Sequence, residues 1–118
     1  MKTIYSFCTY LLIALGTGHT LLTPIFYPGF SADTLWFAGT GLSLVFLGLL
    51  NISAEQVSER SLRMLCVGAN LLGTLFIILV MIVLPEIQAL LAVLAMIGVT
   101  SGSIAMYSSR LPEQFEEA

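Results

Sequence analysis

Residues 64–85, MLCVGANLLGTLFIILVMIVLP, carry no charged side chain, and residues 87–109, IQALLAVLAMIGVTSGSIAMYSS, carry none either. Glu86 alone separates them. A helix rising ~1.5 Å per residue needs roughly 20 apolar residues to cross a hydrocarbon core of ~30 Å, and each stretch exceeds that. Outward from this pair, residues 3–32 and 34–54 are also uncharged, with only Asp33 between them. Just 9% of the chain is charged and 58% is hydrophobic, against about 25% charged in an average soluble domain. The pattern predicts an all-α membrane protein. Its expected form is an antiparallel bundle of four transmembrane helices in a single domain, 1–118. The spans are expected at about 4–22, 34–52, 62–84 and 86–107, with a mobile tail over 108–118. Little chain is left for a soluble domain. A soluble enzyme, a nucleic-acid-binding module and a secreted disulfide scaffold are thereby excluded. Barrel strands are about ten residues long and alternate in polarity, unlike these continuous runs.

Basic residues near span ends stay on the cytoplasmic side, whereas acidic ones carry little topological weight. Lys2, Arg60 with Arg63, and Arg110 fall on segments that four spans place on one side. The other two connections hold no Lys or Arg. All four basic residues therefore agree on both termini in the cytoplasm of an inner-membrane protein. The formal net charge of −3 comes mainly from Glu55, Glu59, Glu113, Glu116 and Glu117, read as solvated faces. A secretory signal is the competing reading of the first segment, from Lys2, the apolar core Phe7–Leu15 and Ala14-Leu15-Gly16. The apolar run continues through Leu21 and Leu22, which favours a span. Cleavage would leave three spans with the same loop orientation.

Several local signals set expected boundaries. Thr23-Pro24 should end span one, because proline disfavours helix in the residue before it. Ser31 or Asp33 can cap span two. Ser53 with Gln56 forms a weak capping box within the connection 53–61. Pro85 allows only a tight turn between spans three and four. Phe26, Tyr27, Phe30, Trp36 and Phe37 crowd around the first outer loop. They read as an interfacial belt or as an apolar lid over an opening between helices.

Membrane helices meet through small residues and a few polar groups, since lipid is as apolar as leucine. Ala92, Ala95, Gly98 and Gly102 mark such a face on span four, and its Gly98–Gly102 part motivates self-association. Ala69 with Gly73, then Ala38, Gly41 and Gly48, and Gly16 offer others. Polar residues lie on second faces: Trp36, Thr40, Ser43 and Asn51; Cys66, Asn70 and Thr74; Thr100, Ser103 and Tyr107. Interhelical hydrogen bonding explains them simply; a small pocket or passage is the alternative. His19 is the one histidine and lies near the outer surface. An ionisable group within a span is a functional candidate, although a histidine there can also serve a loop hydrogen bond. The expected ligand-binding set is His19, Thr20, Trp36 and Thr40, with Asn70 and Thr100 deeper. No residue is assigned as catalytic. Cys8 and Cys66 read as reduced, buried thiols.

In length and span count the chain resembles the small multidrug-resistance transporters. That resemblance implies proton-coupled exchange through an acidic residue in span one, and span one has none. Small fluoride channels match in size, but their Gly-rich, Arg-containing start is absent. A haem site needs a second histidine, and a metal site needs clustered ligands. Thr100-Ser101-Gly102-Ser103 lies at the opposite depth from His19, so no serine–histidine dyad forms within one chain. No cofactor is implied. The leading expectation is a non-enzymatic membrane protein that binds a lipid-like ligand or a partner membrane protein. A small-solute transporter or channel comes second, and a membrane enzyme using His19 third.

Overall fold

The computed structural model describes residues 1–109 and Glu116. It contains α1 (Lys2–Phe26), α2 (Ala32–Gln56), α3 (Arg60–Val83) and α4 (Ile87–Ser109). All four are long and apolar enough to cross a membrane, which suggests a multi-pass membrane protein. Ser108 and Ser109 belong to α4, whereas the rest of the expected tail, Glu116 apart, lies outside the described residues.

The helices run past several expected ends. α1 continues through Pro24 to Phe26. A proline in the last turn forfeits only one backbone hydrogen bond. Thr23 Oγ1 meanwhile donates to the His19 carbonyl at 3.1 Å, and the Tyr27 amide closes the helix on the Thr23 carbonyl. Gly29, at φ 101°, then turns the chain. Ser31 is the cap of α2, accepting from the Thr34 amide at 3.2 Å, while Asp33 stands in the first turn, where a negative charge suits the helix dipole. Ser53 caps nothing. It lies inside α2 and donates to the Leu49 carbonyl, so the connection to α3 shortens to residues 57–59. The turn between α3 and α4 is as tight as Pro85 requires, with only 84–86 between the helices.

α1 lies mainly against α2 and α4, and α3 mainly against α4. Small residues decide these contacts. A Cβ on Gly16 or on Gly41 would come closer than 3.0 Å to the backbone of the facing helix, so α1 and α2 touch there backbone to backbone. Gly98 and Gly102 of α4 face Cys8 and Tyr5 of α1. The face expected to support self-association is thus filled within the chain. α4 is the most enclosed helix, with Ala89, Ala92, Ala95, Met96 and Val99 among its buried residues. Leu12, Ile77, Met96 and Val99 form the apolar centre. Leu72, Leu75, Ile82 and Val83 face outward, an arrangement that hydrocarbon tolerates and water does not.

Candidate functional site

Two polar regions lie on opposite sides of the apolar centre. The first joins the start of α1 to the end of α2 and to the facing parts of α3 and α4. Asn51 and Asn70 are fully buried and exchange reciprocal amide hydrogen bonds, each 2.8 Å long. Tyr5 donates its hydroxyl to Asn51 Oδ1 at 2.8 Å. Cys66 donates to the same oxygen at 3.3 Å. Asn70 Nδ2 also reaches Ser103 Oγ at 3.0 Å, and Asn51 Nδ2 reaches the Leu47 carbonyl at 2.8 Å. Thr74 and Thr100 share a hydroxyl bond of 2.8 Å, and both bond the Asn70 carbonyl. Each amide thereby uses both donor and acceptor capacity within the bundle. A buried amide without partners would cost several times the net value of one hydrogen bond. This region locks four helices together.

The second region surrounds His19. Its imidazole stacks on Phe37 of α2, with ring centroids 3.7 Å apart and planes inclined by 22°. Tyr27 and Phe26 tilt against the same phenyl ring at 5.0 and 6.0 Å. Three adjoining recesses of about 70, 220 and 280 Å³ open around this stack. The first reaches inward between the helices to Leu15, Leu44, Ile77 and Ala92. Its polar margin is His19, Thr40, Glu86 and Gln88. The Gln88 amide, in the first turn of α4, donates to the Glu86 carboxylate of the short turn before it.

The six expected ligand residues do not converge. His19 and Thr40 line one recess. Thr40 donates to the Trp36 carbonyl at 3.0 Å, leaving its methyl and hydroxyl oxygen at the wall. Thr20 serves the α1–α2 contact, donating to the Gly16 carbonyl at 2.9 Å and lying 3.5 Å from the Ala38 carbonyl. Trp36 is 77% exposed and points away; its neighbour Phe37 is the ring that meets His19. Asn70 and Thr100 belong to the first region, beyond the apolar centre. The sequence reading missed Phe37, Leu15, Leu44 and Gln88. One signal was available: Phe37 is itself one of the five crowded aromatics, so the lid reading could have favoured it. Among the described residues, no three His, Cys, Asp or Glu side chains gather as a metal site. No known protein family matches the chain, and no curated protein or solved structure is detectably similar to it.

Proposed function

We propose that the protein is a non-enzymatic, multi-pass protein of the inner membrane that binds a lipid-like molecule by its acyl chain in the recess beside His19. The bundle is antiparallel, with both termini cytoplasmic. The placement of Lys2, Arg60, Arg63 and Arg110 supports that orientation. In support of the antiparallel arrangement, the start of α1 bonds the end of α2 through Tyr5–Asn51, and Thr20 near its other end lies by Ala38.

The observation that carries the functional reading is the recess wall. Leu15, Leu44, Ile77 and Ala92 line its depth, and the polar groups sit only at its mouth. The end of an acyl chain fits such a wall, the adjoining recesses of about 220 and 280 Å³ take the rest of the molecule, and a headgroup meets His19, Gln88 and Glu86 at the rim. Apolar pockets with a few placed polar groups are the usual form of a small-molecule site. Transport is the weaker reading, because Leu12, Met96 and Val99 are essentially inaccessible and separate this recess from the polar cluster. Native mass spectrometry of protein released from lipid discs tests the proposal. Wild type should retain lipid; Leu44→Trp, which fills the recess, should retain several-fold less at unchanged helical content. Equal retention by both proteins would refute the reading.

A further inference from the structure

The bundle end opposite His19 holds a second cleft, of about 360 Å³, walled by residues of all four helices. Lys2, Tyr5, Glu55, Arg63 and Met106 are among its walls. Arg63 lies in the first turn of α3 and is only 5% exposed. Its Nη2 donates to the Val57 carbonyl at 3.3 Å. Among the described residues its Nε and Nη1 have no hydrogen-bond partner. Three N–H bonds of a permanently charged group are therefore left bare, one on Nε and two on Nη1. Withdrawing such a charge from water without an anion is strongly unfavourable. Two groups in the cleft could have satisfied it and do not. Glu55 accepts from Ser6 Oγ at 3.3 Å, and the Tyr5 hydroxyl is committed to Asn51. With Lys2 and Arg63 set against Glu55, the side chains lining the cleft keep one net positive charge.

We propose that this cleft binds a phosphate-type anion, held by the free N–H groups of Arg63 and by the Lys2 ammonium. A phosphate presents several acceptor oxygens to one arginine, which matches three unused donors better than a single carbonyl does. The site lies where α1 and α3 begin, at the level expected for headgroups. Basic clefts between membrane helices suit phospholipid headgroups there. A phospholipid or a soluble phosphate can supply the same chemistry. The site is independent of the His19 recess and shares no wall with it.

Thermal unfolding of the full chain in a phosphate-free maltoside detergent tests this, with short-chain phosphatidic acid and inorganic phosphate as separate probes. Phosphatidic acid should raise Tm by several degrees, and Arg63→Gln should abolish the rise. Lys2 is exposed, so Lys2→Gln leaves the fold intact and should weaken the apparent affinity about fivefold. A rise with phosphatidic acid alone identifies the lipid as the source; a rise with both identifies a soluble phosphate. No rise with either probe would overturn the proposal. So would an equal rise in wild type, Lys2→Gln and Arg63→Gln. A rise that appears only after Glu113, Glu116 and Glu117 are changed to Gln would also overturn it, making the chain's own acidic tail the occupant.

Discussion

At the scale of single residues, the polar groups divide into those already satisfied and those left open. Asn51 and Asn70 exemplify the first, each bonded to the other and to one further helix, Asn51 to Tyr5 of α1 and Asn70 to Ser103 of α4. Truncating either one leaves buried donors and acceptors unpaired. Asn51→Leu or Asn70→Leu should each cost about 1–3 kcal/mol. The double variant should cost clearly less than the two losses combined, because it removes both halves of one reciprocal pair. Thermal unfolding of the four proteins in one detergent measures this; strict additivity would contradict the pairing. That Asn70 needs a partner was legible from its depth in an uncharged run. Its partner was not, since any of several polar side chains at similar depth could serve. Phe37 and Arg63 were missed for different reasons. Neighbouring helical residues differ by about 100° in direction, so choosing Trp36 over Phe37 aims at the wrong face. Arg63 reads as a topology marker at a span end, and nothing in the sequence shows that α3 carries its first turn inside the bundle.

At the scale of the elements, existence and approximate length were legible because charges delimit apolar windows of membrane length. The ends were less so. Pro24 is strong punctuation in a soluble helix and Ser53 a weak one, yet α1 and α2 run through them. Hydrocarbon leaves an exposed backbone group no solvent partner, which favours keeping the helical hydrogen bonds to the last available turn. Which face of each helix points inward was only partly legible. Small residues located the contacts at Gly16, Gly41 and Gly102, whereas leucines look alike whether they meet lipid or protein. The connections between the elements carry the orientation prediction. With Cys8 and Cys66 buried, the wild type gives little background to a membrane-impermeant maleimide. Ser31→Cys should label in cells with a permeable outer envelope and an intact inner membrane. Ser58→Cys should label only after lysis. The reverse pattern would invert the bundle and move the His19 recess to the cytoplasmic leaflet.

At the scale of the whole molecule, the apolar centre separates two ends of different chemistry. One end offers an apolar recess rimmed by His19 and Gln88, and the other a basic cleft with unused donors. A closed centre between them favours holding a molecule over passing one through. The central claim is that an acyl chain enters the His19 recess, and a phospholipid carrying a photoactivatable diazirine in its acyl chain tests it most directly. After irradiation in discs and peptide mapping, the account predicts adducts concentrated on Leu15, Phe37, Leu44 and Ala92, and suppressed in Leu44→Trp. Adducts spread over the outward-facing Leu72, Leu75 and Ile82, with none in the recess, would contradict it.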